Sequence, residues 1–183
     1  GTTVNLGENI TVDTINIGKG LNGSLKSNGN SISANNINIF TGATLDLDIN
    51  SAILGEINGA VAGVGKVQFS NSKFGYTQNQ SLGAVNKLAE ILISNETAII
   101  LDSAALNADI ISIGEGGTTG IIAPVLTQNF GTIGVDDNSQ IKLNTNAVFN
   151  YNGGIINGAI RGTSNGKGNF NINSNYTNNL KIG

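Results

Sequence analysis

Over short runs along this chain, apolar and polar residues alternate one by one. Thr11-Val12-Asp13-Thr14-Ile15-Asn16-Ile17 and Thr44-Leu45-Asp46-Leu47-Asp48-Ile49 show the pattern, and so do Asn36-Ile37-Asn38-Ile39 and Gln140-Ile141-Lys142-Leu143. Lys66-Val67-Gln68-Phe69 and Asn169-Phe170-Asn171-Ile172 add two more. A period of two sends Ile, Leu, Val and Phe to one face of an extended strand, and Asn, Asp, Thr and Lys to the other. β-branched side chains favour the pleated backbone further. The chain therefore predicts many short strands.

Asn-Gly pairs punctuate these strands at Asn22, Asn28, Asn58, Asn152, Asn157 and Asn165. Both residue types accept the positive φ that sharp corners need. Asn-Gly alone would also suit antiparallel hairpins. One stretch departs from the pattern. Leu82, Val85, Leu88, Ala89 and Leu92 fall at helical spacing, which admits a short helix over 81–93. Ile91-Leu92-Ile93 and Ala98-Ile99-Ile100-Leu101 then resume strand character, and Pro124, the only proline, suits a wide corner.

A long-period repeat decides between hairpins and coils. Asp13-Thr14-Ile15-Asn16-Ile17-Gly18-Lys19-Gly20 returns 96 residues later as Asp109-Ile110-Ile111-Ser112-Ile113-Gly114-Glu115-Gly116. Asn36-Ile37-Asn38-Ile39 returns as Thr132-Ile133-Gly134-Val135, and Leu45-Asp46-Leu47-Asp48 as Ile141-Lys142-Leu143-Asn144. Ile57-Asn58-Gly59-Ala60-Val61-Ala62-Gly63 returns as Ile156-Asn157-Gly158-Ala159-Ile160-Arg161-Gly162, and Tyr76-Thr77 as Tyr176-Thr177. Drifting offsets fit insertions in the corners of a stacked array. We expect an all-β parallel β-helix, or β-solenoid, with turns of about 20 to 25 residues. Residues 1–183 read as one continuous segment, with a partial repeat over 1–83 and a second over 84–183. Because the repeat starts and stops out of phase, the segment is expected to belong to a longer array.

Composition narrows function more than fold. Charged residues make up 11% and aromatics 5%, and the 183 residues contain no Cys, His, Met or Trp. Without Cys there is no disulfide framework or thiolate metal site, and without His the commonest general base is missing. A net charge of −3 and a single arginine, Arg161, argue against nucleic-acid binding. No apolar run is long enough for a membrane helix. No cofactor or resident metal is expected.

Several residues invite a chemical reading. Asp46 and Asp48 share one strand face, as the acids of calcium-dependent polysaccharide-cleaving β-helices do, but their repeat equivalents are Lys142 and Asn144. Asp136-Asp137-Asn138 is oxygen-rich yet lacks the ligand spacing of a calcium loop. Gly114-Glu115-Gly116-Gly117 lacks the Lys and Ser/Thr of a phosphate loop, and its counterpart Gly18-Lys19-Gly20 points to a corner. Arg161 could stabilise a lyase carbanion, but its repeat equivalent is Ala62. Sequons at Asn9, Asn22, Asn79, Asn95 and Asn175 are what so Asn-rich a chain supplies by chance. Asn at recurring register positions is expected to stack as amide ladders. None of these is taken as a catalytic, cofactor or metal site.

The units Ile-x-Ile-Gly-x-Gly and Ile-Asn-Gly-Ala-Ile/Val-x-Gly resemble the passengers of autotransporter proteins from Gram-negative bacteria. The Ile/Asn-rich style of Asn107-Ala108-Asp109-Ile110-Ile111-Ser112-Ile113-Gly114 and of residues 57–69 is similar to rickettsial outer-membrane surface antigens. That resemblance implies a right-handed, single-stranded parallel β-helix exported through a C-terminal β-barrel, and a place on the bacterial cell surface. It also implies a scaffold for adhesion or a protective layer. The expected partners are a host-cell protein or glycan and the barrel itself, with no nucleic acid and membrane contact only through the barrel. The rival expectations are a β-helical polysaccharide lyase or hydrolase, and a phage or secreted fibre.

Overall fold

The computed structural model describes residues 1–48, 51–70, 76–78, 80–94, 98–101, 105–114, 125–128, 132–133, 140–143, 148–151, 155–156, 159–162, 169–172 and 181–182. Among them the regular structure is strand throughout, and every strand pairing is parallel. The chain is a β-solenoid.

Its main sheet stacks nine strands in chain order. They are β1 (Thr2–Asn5), β3 (Gly23–Lys26), β5 (Thr44–Leu47), β7 (Lys66–Phe69), β9 (Leu88–Ile93), β12 (Ala108–Ile113), β15 (Gln140–Leu143), β18 (Ala159–Gly162) and β20 (Lys181–Ile182). Each turn of the chain adds one strand. Thr2 pairs with Gly23, so the first turn takes 21 residues. The shortest step, Gln140 to Ala159, takes 19, and the longest, Ile110 to Gln140, takes 30. Nine strands at a spacing of about 4.8 Å make a stack about 40 Å long.

A second sheet begins with three long strands, β2 (Ile10–Ile17), β4 (Ile32–Ile39) and β6 (Ile53–Gly59). Bridges from Ile57 to Leu82 and from Leu82 to Leu106 carry it on to β11 (Ala105–Leu106), β14 (Thr132–Ile133) and β17 (Ile155–Ile156). A third sheet stacks β8 (Tyr76–Gln78), β10 (Ala98–Leu101), β13 (Val125–Gln128), β16 (Val148–Tyr151) and β19 (Asn169–Ile172).

The period-two pattern explains why the turns stack in register. Val4, Leu25, Leu45, Val67, Ile91, Ile111, Ile141, Ile160 and Ile182 occupy one column of the main sheet, each the register partner of the next. From Leu45 to Ile160 that column is buried. Leu47, Phe69, Ile93 and Ile113 form a second buried column two residues along. Across the interior, Ile37, Ile57, Leu82 and Leu106 form a third, all at 0% exposure. A slip of one residue would send a whole column to solvent, so burial itself holds the register.

The helix admitted over 81–93 does not form. Its five apolar positions serve different ends: Leu82 belongs to the second sheet's column, Leu88 opens β9 buried, and Val85 between them is 71% exposed. Ala89 and Leu92 alternate with the buried Leu88 and Ile91 on the strand. Two strands separated by a corner happened to share a helical spacing.

The sequence equivalences fare unevenly. Leu45 and Ile141 share a column, as do Ile37, Ile133, Ile57 and Ile156. By contrast, 13–17 lies on β2 of the second sheet, whereas 109–113 lies on β12 of the main sheet. Alternation looks alike on every face of a solenoid, so likeness of sequence alone does not assign the face.

Candidate functional site

Because Leu45 and Leu47 point inward, β5 carries Asp46 on its outer side. Its register partners are Lys26 on β3 and Gln68 on β7. Lys26 Nζ lies 3.6 Å from Asp46 Oδ2, and the Ser70 hydroxyl donates to Asp46 Oδ1. These neighbours leave the Asp46 side chain only 9% exposed. Lys26, Asn28, Asp46, Asp48 and Ser70 line a cleft of about 90 Å³.

The corner beneath the cleft is closed by hydrogen bonds. Ser27 and Ser51, both fully buried, hydrogen-bond through their hydroxyls, and the Asp48 amide donates to Ser27 Oγ at 2.9 Å. Asn28 (φ 51°) and Gly29 (φ 80°) form a tight turn closed by Asn30 N–H donating to the Ser27 carbonyl at 2.9 Å. Two consecutive positive φ values are what this Asn-Gly pair was expected to supply.

The two carboxylates line one cleft, but the solvated outer face expected of them does not hold for Asp46, which Lys26 and Ser70 cover. What the spacing did not reveal is the company they keep: Lys26 and Ser70 lie 20 and 24 residues away from Asp46, about one turn on either side. A cleft of this size admits a few waters. Asp46 already accepts from a hydroxyl and faces an ammonium, so its negative charge is spent on holding three neighbouring turns together.

The other candidates scatter. Arg161 is exposed on β18, and its register partner on β15 is Lys142. Gly114 is buried and donates its N–H to the Ile93 carbonyl at 2.8 Å, while 115–117 lie outside the described residues. Gly18-Lys19-Gly20 is a corner, closed by Leu21 N–H donating to the Gly18 carbonyl at 3.2 Å. Asn9 Oδ1 accepts from the Ser31 amide at 2.8 Å. Asp136-Asp137-Asn138, Asn79, Asn95 and Asn175 lie outside the described residues.

Amide stacking is present where register repeats an Asn. Asn16, Asn38 and Asn58 are successive partners, and Asn38 Nδ2 donates to Asn16 Oδ1 at 3.2 Å. Asn58, buried, instead accepts from the Val85 and Asn86 amides at 3.0 and 3.4 Å. Asn107, in the equivalent place after Leu106, donates to the Gly83 carbonyl at 3.1 Å. These amides tie corners together.

The chain matches no protein-family model, no curated protein and no solved structure. Function has to be argued from the surface itself. Two larger hollows lie among the described residues. One of about 610 Å³ lies at the first turn among Val4, Ile15, Ile17, Leu21 and Leu25. The other, about 520 Å³, lies along the side where Val12, Asp13, Ala34, Asn35, Leu54 and Gly55 meet. Among the described residues, no group of three acids is placed to hold a metal ion.

Proposed function

We propose that this chain is a rigid scaffold segment of a cell-surface passenger of the autotransporter type. Its outer faces would present adhesive contacts to host cells or form a protective layer. The observation that carries this reading is the unbroken aliphatic column from Val4 to Ile182, which runs through all nine strands of the main sheet. Such a column gives length and stiffness without demanding any particular residue outside. The exterior is then free to serve recognition, and only 11% of the chain's residues are charged.

Cys-free, repetitive strands also suit export through an oxidising compartment, since no stray disulfide can trap the chain before it folds outside. The natural partners on this reading are a host-surface protein or glycan, with a β-barrel as the membrane anchor. The test is saturable, competable binding of the purified chain to mammalian cells. Saturable binding supports adhesion by these turns. Binding that stays linear with concentration, or none at all, removes adhesion from the proposal.

A further inference from the structure

The second sheet bends at β2, β4 and β6, and the bend opens a groove on the side of the solenoid. In the pairing of β4 with β6 the register shifts between Ser33 and Asn36, and Asn35 and Asn36 are both exposed. Alternation slips by one position there. The resulting hollow of about 520 Å³ crosses three successive turns, a volume within the roughly 300–1,000 Å³ of ordinary ligand sites. Its floor is aliphatic, made by Val12, Ala34 and Leu54. Val12 and Leu54 are 46% and 60% exposed, so two large apolar side chains stand in solvent at this one place.

The charges around that floor have one sign. β2, β4 and β6 carry Asp13 and Glu56 and no lysine or arginine. Both acids are exposed, and the ion pairs among the described residues involve neither. Asp13 lines the groove, tied to Asn35 of the next turn, and Glu56 follows Gly55, which lines it one turn further on. Thr14, Asn36 and Glu56 are successive register partners, so the strands bearing the two acids stand two spacings apart, about 10 Å. The described lysines of these turns lie elsewhere. Lys26 and Lys66 face Asp46 and Glu90 on the main sheet, and Lys19 sits six residues beyond Asp13, about 20 Å along the chain. The stretch leading into Leu82, which bridges to Ile57 from the following turn, reads Gln78-Asn79-Gln80-Ser81 and adds no charge.

We propose that this groove binds an extended basic peptide segment, which gives the adhesive reading above its partner and rests on it for its biological setting. Lysine and arginine match both halves of the site. Their methylene stems cover apolar surface while the charged head stays in water, here beside a carboxylate. An extended peptide sets every second side chain on one face, about 7 Å apart, and two long arms reach acids on strands about 10 Å apart. A polyanion meets only like charge here, and β2, β4 and β6 offer no aromatic ring on which a nucleic-acid base would stack. A second copy of this chain is the poorer occupant, because Lys26, Lys66 and Lys87 already pair with acids of their own chain.

The test is the fluorescence anisotropy of labelled hexa-arginine titrated with the full chain at neutral pH and low salt. We expect saturable binding that weakens toward about 0.15 M salt, where exposed charges are screened. A hexa-citrulline peptide keeps the stems without the charge and should not bind. The double variant D13N/E56Q should weaken binding about fivefold, the scale of two exposed ion pairs. Leu54→Asn should weaken it about threefold by removing part of the floor. E8Q, which neutralises an exposed acid outside the groove, should bind as wild type. Circular dichroism checks that each variant keeps its strands. No saturable binding, equal binding of hexa-citrulline, an equal loss in E8Q, or no loss in a folded Leu54→Asn would each overturn the assignment. So would self-association without peptide that Leu54→Asn abolishes, since the groove would then hold a second copy. Cell binding that D13N/E56Q leaves unchanged would refute this partner and leave the adhesive reading standing. Peptide binding by a chain that does not bind cells would support the groove and remove adhesion.

Discussion

A Cβ placed on Gly55 would stand 1.6 Å from the carbonyl oxygen of Ala34 on the preceding turn. Gly55 has φ 129°, and the pairing of β4 with β6 shifts register between Ser33 and Asn36 beside it. Glycine therefore lets two backbones touch where the long strands bend. Gly55→Ala should cost about 3 kcal/mol or more, since both the clash and the disallowed φ must be relieved. Gly20, with φ 83° but open space around its Cβ position, isolates the conformational part. Gly20→Ala should cost about 1–2 kcal/mol. Denaturant midpoints of the two variants check this, and equal losses would remove the steric argument.

The Asn ladder separates a paired surface amide from a buried one. Asn58→Ala leaves the Val85 and Asn86 amides without their acceptor, at a cost of about 1–3 kcal/mol. Asn38→Ala removes a bond that water can replace on a part-exposed face, and should fall within about 0.5 kcal/mol of wild type. Thermal melts of both variants distinguish them. A larger loss for Asn38 would mean that stacking, not corner satisfaction, is what these amides supply.

How much of this was legible beforehand depends on what each residue's neighbours are. Strand positions such as Leu45, Val67 and Ile141 were readable because burial imposes period two on the sequence itself. The neighbours of Asp46 were not readable, because turns of 19 to 30 residues leave the one-turn distance to Lys26 or Ser70 unfixed. The same variability hid the Lys142–Arg161 pairing: sequence likeness set Arg161 against Ala62, whereas stacking sets it beside Lys142. The face of each strand was hidden too, which is how Asp13 and Asp109 came to look equivalent. Helical spacing at 82–92 misled because a corner separates two strands that each obey their own alternation.

Among the described residues, Phe69 is the one aromatic with a fully buried side chain, set between Leu47 and Ile93. Phe69→Ala opens a cavity that neighbouring turns can only partly fill, at a cost of about 3–5 kcal/mol. In a stack whose turns touch only their neighbours, the damage should stay local. Amide hydrogen exchange is expected to quicken in β5, β7 and β9 and to stay near wild type in β18. Uniform quickening along the stack would show instead that the solenoid unfolds as one unit.

Asp13 supplies a prediction with a definite pH dependence. Asn35 Nδ2 donates to its Oδ1 at 2.7 Å from the next turn, and the Thr14 hydroxyl donates to Oδ2 at 3.0 Å. Both bonds favour the carboxylate and hold its pKa below the ordinary 3.8, with the Asn35 bond the larger cause. A depressed folded pKa stabilises the fold above the unfolded value and loses that contribution as pH falls through the folded one. The carboxylate is fully exposed, so water screens the effect and keeps it small. Asn35→Ala should move the Asp13 titration, followed by side-chain NMR, back up toward 3.8. The variant's thermal midpoint should lie below wild type at pH 7, and the gap should narrow as pH falls below 3.8 and through the lowered folded value, where Asp13 becomes protonated in both proteins. An Asp13 titration that does not move would show that Thr14 alone sets its pKa, and that the bond between turns makes no difference to it.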